Sequence, residues 1–413
     1  LPPWLILGAN HRDPIILGGG DDVEPKYDLI IVGAGPVGLS LALGVCRTGK
    51  SVLVLEEKAA LSEHSKAPVL WPSTLEVLND LGIMGEFLAR GEKLVDFKIW
   101  DVDKEPESPL IELSFSELQG ETNFPFALIL PQPETEKILL QAVRRCPRAE
   151  VRFSSKVTYL EQSDAHVSFT YLENGLERTV TARSGAGCDG AHSKVRELLG
   201  FLMSGSTYTL KAALADLHLG ERRDYRFPRV STKESPSFAI RIAPDLWRLI
   251  LLYDESEDFQ LHPRIRTAVE HLFSQTSYTV VWESEFKLHH RISGDFAKGR
   301  IALAGDAAHL NSPVGGQGMN AGIQDTVPLR RAILSLLETE DTSSLRTYAE
   351  IRRRKIDRGV NRFTDLLTTT LTSGHLGHIK TVMALAQKTF AIELVRHRFL
   401  RKMAMLSPHA FES

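Results

Sequence analysis

Three glycine-bearing segments hold residue types whose spacing could do chemistry. The first is Gly33-Ala34-Gly35-Pro36-Val37-Gly38, with Glu56 further along the chain. In such a GxGxxG run the first glycine allows a tight turn, the second lets a pyrophosphate approach the backbone, and the third permits close helix–strand contact. A helix starting within the run points its N-terminus at phosphate charge. A carboxylate at Glu56 can accept hydrogen bonds from ribose hydroxyls and would repel a 2′-phosphate, so the unit reads as a site for FAD or NAD rather than NADP. The second segment is Gly299-Arg300-Ile301-Ala302-Leu303-Ala304-Gly305-Asp306-Ala307-Ala308-His309, followed by Pro313 and Gly315-Gly316-Gln317-Gly318-Met319-Asn320. The third is Gly187-Cys188-Asp189-Gly190-Ala191-His192-Ser193-Lys194-Val195-Arg196. Neither a Ser-His-Asp set nor a metal cluster competes with them. The adjacent His289-His290 pair would point to opposite faces of a strand and share no metal.

These segments need elements to hold them. Tyr27–Val32 is an apolar run of strand type, the stretch after Gly38 is helical, and Ser51–Leu55 is a second buried-strand pattern, which makes one βαβ unit. Residues 74–90 read as a helix with a break at Gly82, and Pro133–Val143 as a helix with acidic residues in its first turn. Residues 151–174 resemble consecutive strands of a meander, and 207–293 are strand-rich, with alternation suggesting a sheet with one face available to something else. RIALA at 300–304 is a buried-strand pattern, and from Ser344 onward the pattern is almost entirely helical.

The second segment decides between the nucleotides by resemblance. The sequence resembles the class A flavoprotein monooxygenases, the family of para-hydroxybenzoate hydroxylase, over about residues 26–400. The resemblance implies FAD, with Asp306 of the Gly305-Asp306 pair on the ribityl chain. It also implies that Pro313, Gly315 and Gly316 line the flavin ring, and that Gly318, Met319 and Asn320 open a helix whose N–H groups face the pyrimidine edge. Asp325 matches the family's closing aspartate, whereas Pro328 stands where asparagine is usual, so an altered helix end is expected. Asp189 matches the family's Asp-Gly segment, with His192 and Arg196 as weaker contacts for the pyridine nucleotide. Lys66 corresponds to an arginine near the pyrophosphate, although lysine lacks the bidentate fork. Gln132 corresponds to a glutamine touching the cofactor, and Ser73 replaces an arginine common in relatives.

The implied fold is α/β: a Rossmann-like FAD-binding domain of the GR2 type, an inserted mixed β-sheet substrate domain, and C-terminal helices. The expected divisions are an extension (1–25), FAD-binding parts (26–92, 128–203 and 298–335), substrate parts (93–127 and 204–297) and a helical region (336–413). The implied reaction consumes NADPH or NADH and molecular oxygen and hydroxylates an aromatic, phenolic or quinone-like substrate through a flavin C4a-hydroperoxide. The chemistry sits on FAD, and no catalytic base is assigned. Tyr208, Arg241, Trp247 and Tyr253 are plausible substrate residues, although packing or solvent exposure is the favoured account of each, and His309 is read as structural. Epoxidation of an isoprenoid or polyketide alkene, or a non-oxygenating FAD-binding redox or scaffold role, are the alternatives. The halogenase WxWxIP segment is absent.

Composition fits this reading. With 413 residues, 43% hydrophobic and 24% charged, the chain is ordinary globular material, long enough for two or three domains. A formal net charge of −3 gives no global reason to expect nucleic acid. Three cysteines, Cys46, Cys146 and Cys188, lie far apart in sequence, which suggests a reducing, cytoplasmic setting and no disulfide framework. Arg352, Arg353, Arg354, Lys355 and Arg358, and the basic 375–403 stretch, leave peripheral membrane contact open beside a solvated helical cover. A monomer or homodimer is expected.

Overall fold

The computed structural model describes residues 24–64, 67–104, 107–220, 227–231, 236–274, 276–372, 389–390 and 392–406. The expected extension therefore lies almost wholly outside the described residues, as do Lys66 and 373–388 of the basic stretch.

Helices are numbered in chain order. In the first sheet the strands run Ala297–Lys298, Ile301–Leu303, Leu176–Gly187, Tyr27–Val32, Val52–Leu55 and Ala149–Arg152 across its width. The last five of these pair in parallel. Leu29, Ile30 and Ile31 are fully buried, as a parallel strand covered on both faces requires. α1 (Pro36–Cys46) and α4 (Gln132–Arg144) pack on this sheet and on one another. The meander is present: Ser155–Gln162 and Val167–Glu173 pair antiparallel and continue onto the outer part of Leu176–Gly187. The expected 74–90 helix is two, α2 (Pro72–Asp80) and α3 (Met84–Arg90), parted at Gly82.

The second sheet joins distant parts of the sequence. Its order is His309–Leu310, Tyr278–Ser293, Met203–Leu219, Leu246–Asp254, Ser237–Ala243, Arg229–Ser231, Asp96–Asp101 and Ser108–Ser114. Strands from 96–114 thus complete a sheet built mostly from 203–293. α6 (Leu261–Phe273) covers one face through Ile265, Val269, Leu272 and Phe273, packed on Ala213, Ala215, Leu249 and Leu251. Trp247 and Tyr253 belong to this covered face. Trp247 meets Phe273 edge-on with ring centres 4.9 Å apart, and Tyr253 stacks on Phe259. Packing, the favoured account of both, holds: strand parity turns both rings toward α6.

After α5 (Lys194–Leu198), the remaining helices are α7 (Gly318–Thr339), α8 (Ser343–Lys355), α9 (Arg362–Thr372) and α10 (Glu393–Met403), with a π-helical stretch at Ile356–Asn361. Pro328 does not end α7, which runs on to Thr339 with the proline inside it. The missing N–H removes one ladder bond, but buried Leu329, Ile333, Leu336 and Leu337 keep the helix on the core.

Several of the basic C-terminal residues are engaged within the chain. Arg352 is buried, Arg353 donates to the Ser293 carbonyl, and α10 lays Arg396 on Glu117 and both His397 and Arg401 on Glu121. No helix among the described residues is long and apolar enough to cross a membrane.

Replacing Trp247 with alanine empties a closed aromatic contact under α6. It should lower stability by about 3–5 kcal/mol, read from denaturant unfolding, with FAD affinity of the folded protein unchanged.

Candidate cofactor and substrate site

Strand register sets the site. Val32 pairs with Leu55 on one side and with Gly187 on the other, and Gly187 pairs with Leu303. The carboxyl ends of four neighbouring parallel strands therefore stop level, and each is followed by one motif. Gly33 follows Val32, Glu56 follows Leu55, Cys188-Asp189 follow Gly187, and Gly305-Asp306 lie just beyond Leu303. The crevice outside such strand ends is where open α/β sheets take ligands.

The glycines divide the labour. Gly33 sits at φ +104°, and a Cβ there would collide with the Cys188 carbonyl, so the first loop can lie against the Asp-Gly segment only without a side chain. On Gly38 a Cβ would strike the Gly33 carbonyl, whereas on Gly35 it would meet nothing within 4 Å. Gly33 and Gly38 thus serve the fold, and Gly35 leaves open the approach that a pyrophosphate needs. Val37 presses on both Gly305 and Gly322, so the first loop, the Gly-Asp turn and α7 meet at one point.

The other side chains sort clearly. The Glu56 carboxylate accepts from the Ala34 N–H at 2.7 Å and the Lys58 N–H at 3.1 Å, which fixes it at the rim of the glycine loop. Gln132, at the start of α4, donates to Glu136 at 2.7 Å. Burial raises the Glu136 carboxyl, and Lys58 and Glu56 lie near enough to act on it, so Gln132 and Glu56 share one neighbourhood. Asp306 is exposed while Gly305, Ala307 and Ala308 are buried, so its carboxylate projects outward from a turn fixed in the core.

Asp189 is turned inward. It accepts from Ser193 Oγ and from the Val195 N–H at 3.1 Å, and burial raises its carboxyl against these bonds. Its side chain thus closes the turn into α5. Arg196 donates to the Ala307 carbonyl at 3.0 Å and the Ala191 carbonyl at 2.9 Å, tying two motif loops together. His192 is exposed.

The loop at the start of α7 is braced by a residue that sequence reasoning passed over. Trp71 donates its backbone N–H to Asn320 Oδ1 at 2.9 Å and its Nε1–H to the Gly315 and Gly316 carbonyls, both at 3.1 Å. Asn320 Nδ2 in turn donates to the Val69 and Gly316 carbonyls. The Asn320 side chain is therefore a brace. What α7 can offer a cofactor is its first-turn N–H groups at Gly318, Met319 and Asn320, which a helix leaves without intrahelical partners. Pro313 is exposed, and Gly315 and Gly316 are half-buried at the same rim.

Beneath this loop lies a buried charge. The Asp325 carboxylate accepts from the Gly305 N–H and from His309 Nε2, both at 2.8 Å, and pairs with Arg352 Nε. Burial alone would push this carboxyl up, but Arg352, His309 and the Gly305 N–H hold it down at about 2. His309 is thus spent on Asp325 rather than aimed at a ring.

The sheet face opposite α6 carries Asp216, Arg248 and Trp282, paired across three strands. Arg248 meets Asp216 through Nε and Nη2, both at 2.8 Å, and its guanidinium lies 5.6 Å from the Trp282 ring centre. His64, in the loop that leaves Glu56, stacks on Trp282 with ring centres 5.4 Å apart. This face therefore looks toward the nucleotide-binding crevice. Leu214, Ile250 and Phe286 share it by register. Tyr208 instead hydrogen-bonds Asp365, and Arg241 pairs with Glu92. Among the described residues no group of His, Cys, Asp and Glu could hold a metal.

These residues fit FAD: an open backbone at Gly35, carboxylates at the rim and at the Gly305-Asp306 turn, and helix N–H groups beyond it. The family model described as FAD binding domain matches residues 26–363. Para-nitrophenol 4-monooxygenase of Pseudomonas sp. (strain WBC-3) is 28% identical over 344 residues, 81% of this chain and 84% of that protein. The 12-dehydrotetracycline 5-monooxygenase/anhydrotetracycline 6-monooxygenase of Streptomyces rimosus is 32% identical over 359 residues, 82% of this chain and 69% of that protein. The crystal structure of p-nitrophenol 4-monooxygenase PnpA from Pseudomonas putida DLL-E4 matches with a TM-score of 0.83 at 22% identity, covering 92% of this chain and 99% of that one. OxyS anhydrotetracycline hydroxylase from Streptomyces rimosus matches with a TM-score of 0.77 at 28% identity, covering 92% and 76%. Fold and site together define an α/β flavoprotein oxidoreductase. The chain belongs to the FAD binding domain family and is a class A, FAD-dependent monooxygenase.

Two outcomes test the geometry. Gly38→Ala should cost stability and refolding yield, whereas Gly35→Ala should keep the melting temperature of the apoprotein and weaken FAD binding at least tenfold in a fluorescence titration. Because the folded Asp325 carboxyl is depressed, its stabilisation is complete above the ordinary carboxylate range near pH 4 and is lost as pH falls toward 2. Asp325→Ala, which leaves Arg352 buried without its carboxylate, should cost about 3–5 kcal/mol at pH 7 and flatten the acid-unfolding profile between pH 4 and 2.

Proposed function

We propose that this monooxygenase hydroxylates an electron-rich aromatic ring of phenol type, with NADH or NADPH as electron donor and molecular oxygen as the oxygen source. When bound, FAD supplies the redox chemistry: one oxygen atom enters the ring, the other leaves as water, and NAD(P)H is oxidised. The observation that carries the reading is the sheet face opposite α6, where Trp282 lies over a neutralised Arg248–Asp216 pair among Leu214, Ile250 and Phe286. Such a wall receives a flat ring on apolar side chains and excludes water, while a few fixed polar groups orient it. The named activities of the relatives, on para-nitrophenol and on anhydrotetracycline, support a phenolic substrate.

The chain's own residues position and shield. The glycine loop and Glu56 hold the nucleotide end, and Asp306 with the α7 N–H groups holds the flavin end. The His64–Trp282 stack joins the substrate wall to the loop beside Glu56. With FAD bound, the α7 N–H groups at Gly318, Met319 and Asn320 would favour negative charge on the reduced ring.

A panel of phenols and isolated alkenes, screened for NAD(P)H consumption with peroxide and product mass measured together, tests this. Oxygen-added product from a phenol, matched to NAD(P)H consumed, is expected. Oxygenation of the alkenes alone, or no reduction of bound FAD by either nucleotide, would overturn it. Trp282→Ala should raise KM for the accepted phenol about tenfold while leaving FAD affinity within twofold.

A further inference from the structure

We propose that Arg352, from a helix beyond the glycine-bearing motifs, is a positioning residue for the flavin end of the cofactor site. Three observations carry this. First, Arg352 is only 4% exposed at the head of a basic run in which Arg353 and Arg354 are exposed, so its burial is specific to this position. Second, its guanidinium makes two contacts on one turn of α7: Nε pairs with the Asp325 carboxylate, and Nη2 donates to the Ala321 carbonyl at 3.0 Å. Residues 321 and 325 are four apart, so α8 grips the first turns of α7 at both ends of one helical repeat. Third, the carboxylate so held also accepts the Gly305 N–H at 2.8 Å, which fixes the turn that projects Asp306.

The two groups that would hold the flavin end, the α7 N–H groups and Asp306, are thus related through the Asp325 carboxylate, whose position on α7 Arg352 fixes. The fork is what permits this. Guanidinium has donors in one plane and reaches a carboxylate and a carbonyl together, whereas an ammonium is a point charge. Tyr348, one turn earlier on α8, donates to the Leu303 carbonyl at 2.8 Å and seats the same helix beneath the strand that leads into Gly305. Gly322 completes the fit: a Cβ there would press on Val37 and on the Gly305 backbone, so α7 and the turn already lie in contact and a small shift of either is felt by the other.

The test measures FAD affinity and flavin spectra as well as turnover. Arg352→Met and Arg352→Lys are prepared as apoproteins, checked for fold by circular dichroism and gel filtration, and titrated with FAD by fluorescence. Visible spectra of the reconstituted proteins are compared with those of the parent. Met is expected to raise the FAD Kd at least tenfold and to shift the absorption bands of the bound flavin. Lys, which keeps the charge beside Asp325 and loses the second contact, is expected to raise the Kd about threefold to tenfold. A residue that merely stabilises the core would lower the apoprotein melting temperature and leave both readouts unmoved, so folded Arg352→Met with Kd and spectrum like the parent's overturns the proposal. If Arg352→Met does not fold, Arg352→Lys decides: an unchanged Kd and spectrum overturns the proposal as surely.

Discussion

A single buried negative charge organises the flavin side of this protein. Asp325 is fully buried, and a carboxylate in such surroundings persists only where hydrogen bonds and an opposite charge replace water. Each group that satisfies it arrives from a different place: Gly305 from the strand-end turn, His309 from the edge of the second sheet, and Arg352 from α8. Satisfying one carboxylate thus obliges three segments to converge. The geometry of the Gly305-Asp306 turn follows from an electrostatic requirement, with shape complementarity at Val37, Gly305 and Gly322 refining it.

The rim of the site is built on the opposite principle. Its carboxylates are held by backbone N–H groups or project to solvent, and its loops are braced through carbonyls by Trp71, Asn320 and Arg196. Side chains that could bind a cofactor directly are few, and backbone is plentiful. This suits a ligand with a long polar chain, because backbone donors at strand ends and a helix start give fixed spacing at no cost in side-chain entropy.

The sequence makes the local parts of this arrangement legible and hides the distant ones. The GxGxxG run, Glu56 and Gly305-Asp306 could be read because each is a turn whose chemistry is set by its immediate neighbours. Trp71 and Arg352 could not, since one looks like an apolar residue before a helix and the other like one of several solvated arginines. Only the packing of α7 between them gives each its partner. The sheet face opposite α6 stayed hidden for a subtler reason. Trp247 and Arg248 are adjacent, and strand parity decides which one faces α6, while two strands away a register shift in Tyr278–Ser293, between the partners of Asp216 and Leu217, interrupts the alternation that would mark Trp282. Pro328 misled in the other direction: a helix breaker by propensity, it is overridden by the apolar residues after it. Asp189 and Asn320 were found as positions, but their side chains close the loops around the site.

The Ser73 N–H that opens α2 donates to the carbonyl of Ala404, and Gln317 at the start of α7 donates to that of Met403. The loops beside the crevice are thus finished by residues made some 370 positions after Gly33. At about 5–20 residues per second of synthesis, roughly 20 to 75 s separate the first glycine's emergence from that of its last supporting contact. Throughout that interval the growing chain presents an incomplete nucleotide crevice, so tight capture of FAD awaits the synthesis of residues 403 and 404.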